Sequence, residues 1–201
     1  MQDIENTIKN RILGSGRGYL FTPTSFLDLG GRAAVDKALS RLTANGTIRR
    51  LSRGLYDYPK THPVLGILHP LPEDIAKVFA QRDAVRLQPA GAYAANLLGL
   101  SEQVPAKILF FTNGPSRTVK VGRMEIILRQ TSSRYVAAAG RLSGLLIQAF
   151  RHLGKAHITP ERIKHLRRTL PESERSKILK DIRYAPAWMH DFFRELAREG
   201  D

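Results

Sequence analysis

Apolar positions recur with a helical period in the first stretch of the chain and again in the last third. Ile4, Ile8 and Ile12 form one stripe over residues 2–14, closed by Gly14-Ser15-Gly16, and Leu13 borders it. Arg17 to Phe21 is short and apolar and reads as a first strand. Thr22-Pro23 is a helix start, with threonine able to cap and proline suited to the first turn. The helix so begun holds Phe26, Leu27 and Leu29 and stops at Gly30-Gly31. The next helix carries Val35, Ala38, Leu39 and Leu42 on one face. Ala33, Lys37, Ser40, Arg41 and Ala44 point the other way, and Asn45-Gly46 ends it. Residues 47–51 and 54–58 then read as two strands, with Ser52, Arg53 and Gly54 at their turn.

Helix, strand, helix, tight turn, helix and an arginine-rich hairpin, in that order, make a winged helix-turn-helix over residues 1–60. In that arrangement one helix enters the major groove and the wing meets backbone or minor groove. The outward face of the third helix is small and polar, and fits a groove about 12 Å wide. Residues 61–72 hold prolines at close spacing and read as an extended linker, neither helix nor central strand. Val64, Leu65, Ile67 and Leu68 imply that this linker packs against something.

A second domain spans 73–201. Its expected elements are helices over 73–81 and roughly 89–98, then three strands (107–112, 117–121, 124–129) turned by Asn113-Gly114 and Gly122-Arg123. Together these strands read as an antiparallel meander. Four helices follow, over 140–153, 160–170, 172–183 and 186–199. The fold class is therefore α+β: a winged helix, then a domain with a small antiparallel sheet and several helices.

Charge sharpens this picture. The 201 residues carry 32 Lys and Arg against 18 acids, a formal net charge of +14, which favours a polyanionic partner. Both halves are basic, so pattern rather than charge singles out the first. The chain has no cysteine, which excludes disulfides, thiolate metal sites and a cysteine nucleophile and fits a reducing compartment. No apolar leader and no membrane span is evident, so a cytoplasmic location is expected.

Catalytic motifs are missing. The six histidines show no HExxH or similar spacing, and no phosphate loop, dinucleotide fingerprint or nucleophile elbow occurs. No metal, cofactor or enzymatic activity is expected. The main enzymatic alternative is a basic metal-dependent nuclease using Glu125, but no second carboxylate or lysine accompanies it at the required spacing. A winged helix that docks a protein instead of DNA is the other alternative. The DNA-facing candidates are Arg32 near the start of the third helix, Lys37, Ser40 and Arg41 on its outer face, and Arg49, Arg50 and Arg53 on the wing. Asp36 reads as a helix-side partner, and Tyr56 and Tyr58 as wing packing. In the second domain Arg117, Lys120, Arg123, Arg129, Arg134, Arg141 and Arg151 admit three readings: a second DNA surface, a surface for an acidic protein, or a solvated face.

The run FTPTSFLDLGGRAAVDKALSRLTANGTIRRLSRGLYDYPK resembles the winged helix of AbiEi-like antitoxins, from type IV toxin–antitoxin systems of the abortive-infection class. The likeness continues through PAGAYAANLLGLSEQVPAKILFFTNGPSRTVKVG and reaches the tail around Trp188. The resemblance implies a repressor that binds inverted repeats in double-stranded DNA upstream of its own operon. It also implies an antagonist of a nucleotidyltransferase-like toxin, in many cases without a stable complex. Under it the first domain binds DNA, the second carries antitoxicity, and no catalytic residue carries over; a single winged helix often needs a second copy, by dimerisation or by cooperative binding at a repeat.

Overall fold

The computed structural model describes residues 2–198. Two compact units divide the chain: residues 1–84 with 119–123, and residues 85–118 with 124–201. The boundary thus falls after Ala84 rather than in the proline-rich stretch.

The first unit opens with α1 (Gln2–Gly14), which buries Ile8 and Ile12 and leaves Leu13 exposed. Strand β1 (Leu20–Phe21) leads into a single 3-10 turn at Pro23–Phe26, not the longer helix expected there. Thr24 and Ser25 propagate a helix poorly, and Gly30-Gly31 blocks its extension. Asp28 is drawn sideways, accepting from both terminal nitrogens of Arg11 at 2.8 and 2.7 Å. Helix α2 (Arg32–Ala44) follows, burying Val35, Ala38, Leu39 and Leu42. Gly46, at φ +75°, takes the left-handed turn after it. Strands β2 (Arg49–Ser52) and β3 (Leu55–Asp57) form the wing, and β1 pairs antiparallel on the far side of β3, giving the order β1-β3-β2. Phe21, Phe26, Ile48 and Tyr56 close the core between this sheet and helices α1 and α2, with Phe21 and Tyr56 stacked at 6.0 Å. This is a winged-helix arrangement whose second helix has shrunk to one turn.

The stretch expected to be a bare linker folds as a second hairpin, β4 (Thr61–His62) and β5 (Gly66–Ile67). His62 Nδ1 accepts the Val64 and Leu65 amides at 3.2 Å each, shaping its tip. Val64 and Leu65 are 85% and 71% exposed and Ile67 is also exposed, so the packing expected of them is not seen; Leu68 is half-buried. Helix α3 (Pro72–Asp83) completes the unit.

In the second unit β6 (Leu87–Pro89) occupies the start of what reads as a helix, and α4 (Gly91–Leu97) begins only after it. Proline is tolerated at an edge strand because its missing donor faces away from the ladder. Strands β7 (Lys107–Thr112) and β9 (Met124–Gln130) lie where expected in this unit, and β8 (Arg117–Val121) spans the division between the units; the pairing is not a simple meander. Strand β6 runs antiparallel and β9 parallel to β7. The Asn113 side chain accepts the Arg86 amide at 2.8 Å and fastens the end of β7 to the approach to β6.

Helix α5 (Leu142–Leu153) packs against α4 through Leu146, Ile147, Ala149 and Phe150. Helices α6 (Pro160–Thr169), α7 (Glu172–Arg175) and α8 (His190–Ala197) surround this core with Ile163, Leu166, Phe193 and Leu196. The single helix expected over 172–183 breaks into α7 and a 3-10 segment, Ile178–Tyr184. The break turns Asp181 inward, where Arg141 Nη1 donates to it at 2.7 Å and the Ser143 hydroxyl also donates. The last predicted helix begins with a 3-10 turn at Ala187–Met189, and its end at Glu199 lies outside the described residues.

Gly144 lies where α5 meets β6. A Cβ there would collide with the Ala138 carbonyl and the Gln88 side chain, both held in the core. Gly144→Ala therefore lowers stability by about 1–3 kcal/mol in urea unfolding, although the same change in an exposed helix raises it. A second expectation concerns Asp28, whose carboxyl the Arg11 hydrogen bonds hold below the usual aspartate range. That contribution is present above pH of about 4 and is lost as acid protonates the carboxyl. In an NMR titration the Asp28 midpoint should rise toward the ordinary value in Arg11→Ala.

Candidate nucleic-acid interface

The outer face of α2 carries Arg32, Ala33, Lys37, Ser40, Arg41 and Ala44, all exposed. Its inner face is fixed by four apolar side chains, so the helix cannot roll. Lys37 and Ser40 make no hydrogen bond or ion pair with any described residue. Arg32 donates from Nε to both oxygens of Asp36, one turn on, at 3.0 and 2.9 Å. This exposed i,i+4 pair is weak and opens readily to a phosphate. Arg41 is partly committed: Nη1 reaches Glu5 on α1 at 3.1 Å. It therefore belongs to the seam with α1 more than to the free face of α2.

The wing separates its arginines. Arg50 and Arg53 are exposed and unpaired among the described residues, with Arg53 beside Gly54 at the turn. Arg49, expected with them, is instead engaged within the fold. Its guanidinium grips Asp57 through two donors, Nε at 3.0 Å and Nη2, and Nη2 also donates to the Leu68 carbonyl at 3.0 Å. The Asp57 side chain is 3% exposed and that of Arg49 26%. Arg49 is thus a brace between the wing and the second hairpin. Tyr56 and Tyr58 pack the wing as expected, and Tyr58 also carries Arg17, 5.0 Å above its ring, with Nη1 bonded to the Pro59 carbonyl at 3.1 Å. Arg17 escaped the sequence reading because nothing in its spacing ties it to Tyr58; only the pairing of β1 with β3 brings them together.

Few features elsewhere offer chemistry. Among the described residues no three of His, Asp and Glu converge as metal ligands. Glu125 is half-buried on β9, opposite Lys107 in the parallel register with β7. No described helix is long and apolar enough to cross a membrane.

The first unit is thus a winged helix with a slim, cation-bearing helix beside a short arginine-tipped hairpin. The chain belongs to DUF6088, a family of unknown function, which matches over residues 4–178. No curated protein matches it. Among solved structures, the RV2827C protein from Mycobacterium tuberculosis aligns with a TM-score of 0.45 at 14% identity, covering 96% of this chain and 83% of that one.

The two wing arginines should behave differently when removed. Arg49→Ala leaves a buried, unpaired carboxylate and should cost about 3–5 kcal/mol in urea unfolding. Arg50→Ala should stay within about 0.5 kcal/mol of the parent. Equal effects would mean that Arg49 is not the brace described.

Proposed function

We propose that this chain is a DNA-binding repressor of its own operon that also serves as an antitoxin, acting in the cytoplasm without catalysis of its own. The supporting observation is the exposed surface formed by Lys37 and Ser40 on α2 with Arg50 and Arg53 on the wing. These side chains have no internal partner and stand among alanines and glycine, so nothing bulky keeps them from a groove. Arg32 joins them by releasing Asp36. Lys37 and Ser40 occupy the positions from which a recognition helix meets base edges, and Arg50 and Arg53 those from which a wing meets phosphates. Arg41 has a smaller part and Arg49 an indirect one. A single winged helix presents little surface, so an operator of inverted repeats filled by a dimer or by cooperative copies suits it.

The antitoxin half of the proposal rests on the resemblance to AbiEi-like proteins that runs on through residues 89–122. Its partner is a nucleotidyltransferase-like toxin, opposed without a lasting complex.

The test is a gel shift with DNA from just upstream of the gene, against scrambled competitor at physiological salt. Selective retardation is expected. Lys37→Ala should cost about 1–3 kcal/mol on the operator and relax its sequence preference. Arg53→Ala should weaken every duplex and lower the salt slope by about one. Unchanged affinity and preference in Lys37→Ala would remove α2 as the reading helix.

A further inference from the structure

The second unit carries a cluster of a different chemistry from the wing. The 3-10 turn Ser133–Val136, helix α5 and the end of the 3-10 segment Ile178–Tyr184 meet around a cleft of about 10 Å³. Arg134, Tyr135, Gln148, Arg151 and Tyr184 line it, and no carboxylate does. Arg151 lies over the Tyr135 ring at 4.8 Å, and Arg183 lies over Tyr184 at 4.9 Å. Arg183 Nη2 also donates to the Tyr184 hydroxyl at 3.0 Å. Gln148, itself buried, donates from Nε2 to the Tyr135 carbonyl at 3.4 Å. Tyr135 is 37% exposed, and Arg134, Arg151 and Arg183 are exposed with no carboxylate partner among the described residues.

We infer that this cluster is a binding site for single-stranded nucleic acid, distinct from the duplex surface of the winged helix. Flat guanidinium–tyrosine tiers offer stacking faces, and the unpaired arginines offer charge for the adjoining phosphates. Duplex DNA hides the faces of its bases, so such tiers suit only a strand whose bases are free. An acidic protein partner fits less well. Hot spots in protein interfaces fill pockets, whereas a cleft of this volume admits no side chain.

Fluorescence anisotropy of the full chain with short labelled oligo(dT) and oligo(U) tests this. Both should bind, and the tighter one identifies the kind of strand. Tyr135→Ala and Arg151→Ala should each weaken binding roughly fivefold or more, while Tyr135→Phe stays near the parent. If melting shows that Tyr135→Ala fails to fold, Arg134→Ala, at an exposed position, replaces it with the same expectation. Lys37→Ala and Arg53→Ala should leave single-strand binding intact, so failure here and failure of the operator reading are separable. The inference falls if Tyr135 and Arg151 variants bind like the parent, or if the Lys37 and Arg53 variants abolish the signal. It falls equally if poly-glutamate or inorganic polyphosphate of equal charge displaces the oligonucleotide as well as unlabelled oligonucleotide does, since charge alone would then account for binding.

Discussion

The buried pairing of Arg49 with Asp57 governs the geometry of the first unit. Asp57 faces Leu20 on one side and Arg49 on the other, so all three strands of the small sheet meet at one carboxylate. Removing a carboxylate and a guanidinium from water is costly, and the cost is offset only when the geometry is good and the remaining donors are satisfied. Both conditions hold: the pair is bidentate, and the spare donation goes to the Leu68 carbonyl. That last bond fastens the returning arm of the second hairpin to the wing, and the Leu68 amide bonds back to Lys60 at 2.8 Å. A proline-rich segment that reads as a linker is thus held as part of a folded unit by one arginine.

The same pair shows why the site was only partly legible. Strand alternation requires adjacent Arg49 and Arg50 to face opposite ways, but it does not say which of them faces inward. Counting back from the turn, Ser52 opposite Leu55 would put Arg50 opposite Asp57. The actual register slips by one between Arg50 and Ser52, so Arg50 faces Tyr56 and Arg49 faces Asp57. A one-residue bulge exchanges the faces of everything beyond it. Nothing in the order RRLSRG marks the bulge. Lys37 and Ser40, by contrast, were placed correctly on the outer face of α2, because a helix with four core-facing apolar residues has a single orientation.

Elements with long periodic patterns, α1, α2 and α5, were legible nearly to their ends. The misread ones were short or were set by distant partners. The strand at Leu87–Pro89 exists because β7 is there to pair with it, and its three residues carry no period. Parallel pairing of β7 with β9 replaces the hairpin that Asn113-Gly114 suggests, and neither residue takes the positive φ such a turn needs. The helix expected over 172–183 breaks because a buried Asp181 satisfied by Arg141 and Ser143 outweighs the modest propensity of four helical residues.

Net charge is a poor guide to which cations of this protein are free to meet an anion. Arg11, Arg32, Arg41, Arg49, Arg141 and Arg194 are each matched to a carboxylate, on the surface or within the fold. They add to the formal charge while offering little field of their own. Two chemically unlike groups stand out among the cations without a carboxylate partner. On the wing and α2 the free cations stand among alanine, serine and glycine, the low-relief surface that the proposed duplex contact needs. Around Tyr135 and Tyr184 they are arginines laid over rings, a surface shaped for flat partners. The difference in their chemistry is the reason the two proposals assign them different ligands, a duplex for the first and a single strand for the second.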